Sequence, residues 1–234
     1  MATEQPAPPV RTAKSKKRLL NRLSALLSAL FIAWILSIVF EWLGIAFIWS
    51  EQGHLHSQNM MLQEMQWFSE DFTRGLFYYS PVELATSVIA TTHHWLFVKT
   101  GIQGWLAHPE NHGQWEQWFY HYTRAYVESV IYITITFIIR LLIITLTSPL
   151  FLLVALAGFT EGLMLRDLRK FGAGRESGFL YHNARRYIFP VMITAWILYL
   201  SIPISVHPNA ILVPAAALFG LSICVTAASF KKYL

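Results

Sequence analysis

Seven of the nine histidines fall between residues 50 and 127: His54, His56, His93, His94, His108, His112 and His121. Imidazole ligands suit zinc, copper or iron. His108 and His112 stand four apart and could share a face of a helix, but Pro109 argues against a helix there. No His-Glu-x-x-His pattern and no carboxylate at a fixed spacing accompanies them. The pattern therefore fits exposed or interfacial histidines better than a metal centre, and no cofactor is expected. A metal-binding extracytoplasmic protein is kept as an alternative. Nor does spacing assemble a Ser-His-Asp or Cys-His arrangement, so the expectation is a protein without catalysis.

The second concentration of polar chemistry lies between residues 158 and 189. Six of the eighteen Lys and Arg residues sit there, against three acids, Glu161, Asp167 and Glu176. The stretch reads as helix, glycine turn, helix. Arg166, Arg169 and Lys170 share one face of the first helix, opposite Met164, Leu168 and Phe171. Gly172-Ala173-Gly174 stops it. The second starts near Arg175 and Glu176 and carries Tyr181, His182, Arg185 and Arg186. These nine polar residues are the candidate partner-binding or lipid-binding set. A phosphate loop would need Gly-Lys-Ser/Thr, where this chain has Gly174-Arg175-Glu176. A dinucleotide loop would need Gly at position 177, which is Ser. Basic side chains near a bilayer contribute about 1 kcal/mol each on anionic headgroups. Lipid contact and docking of a protein are compatible readings, and direct nucleic-acid contact is not expected.

Glu41 and Arg140 are the two charges inside or beside apolar runs. A charge near the bilayer centre is costly and ordinarily has a partner or a role. The expectation is structural: Arg140 snorkels to the outer surface, close to Glu41. Gly44 and the Ala25-Ala29-Ala33 spacing offer small-residue packing.

The elements around these residues belong to a membrane. The chain is 55% hydrophobic and only 13% charged, where a soluble domain carries about a quarter charged residues. The single Cys224 excludes an internal disulfide. A net charge of +5 reports topology before it reports nucleic-acid binding.

Residues 1–22 are Pro-rich at first, then basic, and read as a disordered N-terminus. A first transmembrane helix is expected over 23–49, and Leu23 to Phe40 carries no charge. A cleaved signal peptide is the competing reading, but the run is too long and lacks a cleavage site. Residues 50–128 read as a helical extracytoplasmic domain. Within it, Met61, Met65, Phe68 and Phe72 mark an amphipathic helix over 59–72, and Ser80-Pro81-Val82-Glu83 starts another that could run to Val98. Trp115, Trp118, Phe119, Tyr122 and Tyr126 form an aromatic stripe at helical spacing. Ser129 to Thr160 holds one charge in 32 residues, about 48 Å as helix against about 30 Å of hydrocarbon. One span over 129–157, extended by an interfacial turn, is expected, with Pro149 as the place for a kink. After the basic loop, 44 residues from Tyr187 to Phe230 carry no Asp, Glu, Lys or Arg. Two spans, 190–206 and 210–230, with a turn at His207-Pro208-Asn209, fit that length. Residues 231–234 close the chain.

Four spans would place both termini and the 158–189 loop on one side, with fourteen of the eighteen basic residues. Three lie on the other side and Arg140 is the last. That split agrees with the positive-inside rule and puts both termini in the cytoplasm.

The stretch Gly162-Leu-Met-Leu-Arg-Asp-Leu-Arg-Lys-Phe-Gly-Ala-Gly-Arg-Glu-Ser-Gly-Phe-Leu-Tyr-His-Asn-Ala-Arg-Arg186 resembles the signature of the integrating conjugative element membrane protein family. The four-span layout with an extracytoplasmic insert is similar too. The resemblance implies a bacterial inner-membrane protein encoded with conjugative type IV secretion genes, and supplies no catalytic residues. The expected protein is therefore an all-α integral membrane protein with four transmembrane helices and a helical extracytoplasmic insert between the first two. Its expected role is that of a non-enzymatic accessory or scaffold subunit of conjugative transfer. It would dock a coupling ATPase or another secretion subunit through the basic loop, with membrane lipids and further copies of itself as other partners. An oligomeric pore or transporter is the other alternative.

Overall fold

The structure, a computed structural model, describes residues 12–72, 81–102, 104, 114–171 and 178–230. Among them the chain is all helical. The helices are α1 (Thr12–Phe47), α2 (His54–Asp71), α3 (Pro81–His93), α4 (Gln114–Phe171), α5 (Gly178–Ser201) and α6 (Pro208–Ala228). A π-helical turn, His94–Val98, continues α3.

Three stretches are long and apolar enough to cross a bilayer: Ser24–Phe47, Thr123–Arg169 and Pro208–Ala228. Their outward faces carry large apolar side chains too. Leu26, Phe31 and Leu43 of α1, Leu152, Leu153 and Leu156 of α4, and Leu218 and Leu221 of α6 are all exposed. Large apolar side chains on an outward face call for lipid or protein against them, and the three stretches are consistent with a membrane protein.

Helix α4 is the axis. Its 58 residues make a rod of about 87 Å. The aromatic stripe before residue 128 and the apolar run after it are one uninterrupted helix, with no interfacial turn between them. Pro149 lies inside it and has no N–H for the carbonyl of Thr145, four residues back. Ser148 Oγ supplies that donor, at 2.7 Å. Thr145 and Thr147 bond the carbonyls of Leu141 and Ile143 in the same way. The helix crosses its proline because hydroxyls replace the missing amide.

The other helices divide α4 between them. Helix α1 runs antiparallel along its N-terminal half. Trp34 Nε1 donates to Thr134 Oγ1 at 3.1 Å, and Trp42 Nε1 to the Tyr126 carbonyl at 3.3 Å. Helix α2 lies parallel on the same half, and its buried stripe of Met60 and Phe68 joins the core with Met61, Met65 and Phe72. The amphipathic helix expected over 59–72 is thus present and begins earlier, at His54. Helix α3 starts at Pro81 as expected and buries Ala85; the proposed cap, Ser80, lies outside the described residues.

Helices α5 and α6 cover the C-terminal half of α4. A Cβ on Gly158 would run into the backbone of Gly220, and one on Gly162 would meet Ala227 and the Cys224 carbonyl. Small residues at these levels let the two backbones approach. Helix α5 packs beside them, with Trp196 edge-on to Phe151. The small residues singled out in α1 act differently. Ala33 is buried and Ala25 is exposed, while the room left by Gly44 is filled by the ring of Trp49 from its own chain.

Candidate functional site

The polar centre of the molecule is where α2, α4 and the turn between α5 and α6 meet. Helix α5 ends at Ser201 because Pro203 follows, which leaves its last carbonyls without partners. Arg140, from the middle of α4, reaches them. Nη1 donates to the carbonyls of Tyr199 at 3.0 Å and Ile202 at 2.6 Å, and Nη2 to that of Ile204 at 2.8 Å. Nε and Nη2 both donate to Glu64 Oε1 of α2, at 3.0 and 2.7 Å. All five guanidinium N–H groups are thereby used. Tyr199 completes the ring with its hydroxyl on Glu64 Oε2 at 3.3 Å.

Arg140 is 1% exposed and Glu64 0%. Arg140 therefore does not snorkel to the surface, and its carboxylate partner is Glu64. The reason is local: the carbonyl of Tyr199 in the last turn of α5, those of Ile202 and Ile204 in the turn after it, and one carboxylate replace water around the guanidinium, so nothing is gained by reaching out. Burial pushes the Glu64 carboxyl above its ordinary value, and the charge and hydrogen bonds of Arg140 oppose that shift. The same turn is held again from α2 by Ser205 Oγ on the Met60 carbonyl at 3.4 Å and by Trp67 against the His207 ring at 5.2 Å. His207 caps α6 by accepting from Asn209 N at 3.3 Å, with Pro208 in its first turn. The expected turn at His207-Pro208-Asn209 is in fact the start of α6, and the reversal lies over residues 202–207.

Glu41 has its own partner. It is 0% exposed and binds His56 Nδ1 at 3.1 Å, while its second oxygen has no partner among the described residues. His56 stacks on Trp49, ring centres 4.0 Å apart. Two residues earlier on α2, His54 Nε2 meets Glu128 at 3.0 Å, and Arg124 meets the same carboxylate at 2.9 Å. Each of these two histidines is tied to a carboxylate on a different helix. His93 stacks on Phe97 at 4.2 Å. Among the described residues no group of three His, Cys, Asp or Glu side chains could hold a metal ion. His108 and His112 lie outside the described residues.

The basic set gathers at the opposite end of α4. Arg166 and Arg169 are half-buried on its last turns, and Arg185 and Arg186 are exposed near the start of α5. Arg166 and Arg185 line one crevice of about 410 Å³ with Leu163, Ile188, Ile223 and Ala227. Lys170 belongs to the last turn of α4, and Tyr181 and His182 to the first turns of α5. Arg175 and Glu176 lie outside the described residues.

Sequence reasoning missed Glu64, Tyr199 and the glycine contact. Gly158 and Gly162, four apart in an apolar run, were a readable sign of helix packing. Glu64 carried a weaker one, as an acid amid the apolar stripe of α2.

Residues 48–231 match the model of a family described as DtrJ-like, IncC plasmid conjugative DNA transfer protein DtrJ-like. A conjugation-associated family is what the resemblance at residues 162–186 implied. No curated protein and no solved structure matches the chain.

Proposed function

The chain belongs to this DtrJ-like family of conjugative DNA transfer proteins, and from that premise we propose that it is a non-enzymatic subunit of the transfer apparatus in the bacterial inner membrane. It takes part in conjugative DNA transfer. Its role is to hold another subunit, with a coupling ATPase of type IV secretion as the first candidate.

The observation that carries this reading is the meeting of α4 and α5 at one end, where Arg166 and Arg185 share a crevice. The basic residues of two helices, Arg169 and Arg186 among them, are thereby collected at the same end of the bundle. Helix α5 is the fourth span: it lies between α4 and α6, and residues 187–201 carry no charge. With four spans, the basic end and both termini face the cytoplasm by the positive-inside rule, and α2 and α3 form the extracytoplasmic insert.

The test is a mild-detergent pull-down of the tagged chain from cells carrying the whole conjugative element. Recovery of a coupling ATPase or another secretion subunit, lost when Arg169 and Arg186 are changed to Glu at unchanged protein level, is expected. Recovery of the chain alone, as a defined oligomer, would overturn the docking role and favour a pore.

A further inference from the structure

We propose that the crevice between α4, α5 and α6 is a site for an anionic phospholipid, holding an acyl chain between its walls and the phosphate at Arg166 and Arg185. This goes beyond the docking role above: both readings involve the end of the bundle where Arg166 and Arg185 meet, but docking is tested at Arg169 and Arg186 and lipid binding at Arg166 and Arg185.

The crevice follows from the packing of the bundle. Gly158 and Gly162 draw α4 onto α6 at Gly220 and Ala227, and α5 forms the third side. Leu163, Ile188, Ile223 and Ala227 make an apolar interior, and the only charged residues among those lining it are the two arginines. The position is informative. The crevice lies at the end of the apolar stretches Thr123–Arg169 and Pro208–Ala228, where acyl chains give way to headgroups. At the same level of α4 and α5, Met164, Leu168, Phe171 and Phe189 are exposed, as they would be against lipid.

The electrostatics ask for an anion. Arg166 Nε is buried and makes no hydrogen bond among the described residues, and its carboxylate neighbour, Asp167, is 3.7 Å away. A buried guanidinium N–H without an acceptor is costly. Arg185 lines the same crevice, so two guanidinium groups stand at the edge of one apolar cavity. A phosphate offers several acceptor oxygens in the geometry a guanidinium fork prefers. Free phosphate would answer the arginines and leave the apolar walls wet. An acidic peptide would answer them and strand its own backbone N–H groups against those walls. A phospholipid satisfies both, and basic pockets between transmembrane helices are a recurrent place for anionic headgroups.

The test is native mass spectrometry of the full chain in detergent, titrated with dioleoylphosphatidylglycerol or with dioleoylphosphatidylcholine, which has the same tails. Retention of the phosphatidylglycerol should exceed that of the phosphatidylcholine by about tenfold. Arg166→Gln with Arg185→Gln should bring the ratio close to one, while Arg169→Gln, outside the crevice, keeps it. Ile223→Trp, which fills the interior and leaves the charges, should lower retention of both lipids. Equal retention in the unaltered chain, or a ratio that falls as much in Arg169→Gln, would overturn the site and leave a diffuse basic surface. Displacement of the lipid by inorganic phosphate alone would also overturn it, in favour of a free-anion site.

Discussion

Arg140 Nη2 lies 2.7 Å from Glu64 Oε1, with both side chains shut away from solvent and the two residues 76 positions apart in the chain. Through this pair α2 holds the axis helix and, by way of the carbonyls that Arg140 also binds, the turn after α5. Breaking a buried pair by removing one partner costs about 3–5 kcal/mol, because the other is left uncompensated.

Arg140→Met should therefore lower stability in detergent by about that amount, read as a large drop in Tm by fluorescence or light scattering. Arg140→Met with Glu64→Leu should recover part of the loss, since no carboxylate is stranded, but not all, since three carbonyls still lack a donor. A double variant as damaged as the sum of the singles would show that the two side chains act independently.

The single Arg140→Met variant should also gain a pH dependence. Burial raises the Glu64 carboxyl, and without Arg140 nothing large opposes it. The folded state then binds more protons than the unfolded one, so stability falls as pH rises. The variant should be more stable at about pH 5.5 than at about pH 7.5, by comparison with the unaltered chain. A difference of the opposite sign would contradict the account of Glu64.

Ser148 and Pro149 give a cleaner cycle. Ser148→Ala removes the hydroxyl that serves the Thr145 carbonyl and should cost about 1–3 kcal/mol. Pro149→Ala restores the backbone N–H for the same carbonyl. In that background Ser148→Ala should be close to neutral. An equal cost in both backgrounds would mean the hydroxyl matters for another reason.

Gly158→Leu should force α4 and α6 apart, because the added side chain meets the Gly220 backbone rather than a flexible neighbour. Overpacking of this kind costs about 1–3 kcal/mol or more. Leu153→Ala, on an exposed face of the same helix, is the control and should change Tm little. Comparable losses from both would count against a tight contact at Gly158.

The four-span arrangement is open to cysteine labelling. With Cys224→Ser as background, Gln52→Cys should react with a membrane-impermeant maleimide in cells whose outer membrane is opened. Asp167→Cys should react only after the inner membrane is breached. Labelling of both under the first condition would refute the proposed topology.

Much of the helical layout was readable along the chain. The stripe of Met61, Met65, Phe68 and Phe72 marked α2, and Pro81 and Glu83 marked the start of α3. These signals are local: periodicity, caps and breakers act within a few residues. The continuity of α4 was not readable, because a polar aromatic stretch and an apolar one differ in composition without any break in backbone conformation. The depth of Arg140 was not readable either, since its surroundings come from residues 59 to 80 positions away.

By itself the sequence determined that this is a helical protein with stretches long and apolar enough to cross a bilayer, and with nearly all of its basic residues outside the uncharged runs. Those properties follow from the solvation of each segment taken alone: apolar length against bilayer thickness, and charge against the cost of crossing. Tertiary structure alone decided which charges meet. Glu64 rather than Glu41 receives Arg140, Glu41 receives His56, and Arg166 shares a crevice with Arg185. A buried charge takes whatever acceptor the folded backbone brings within hydrogen-bonding distance, and that depends on how helices distant in sequence lie against each other.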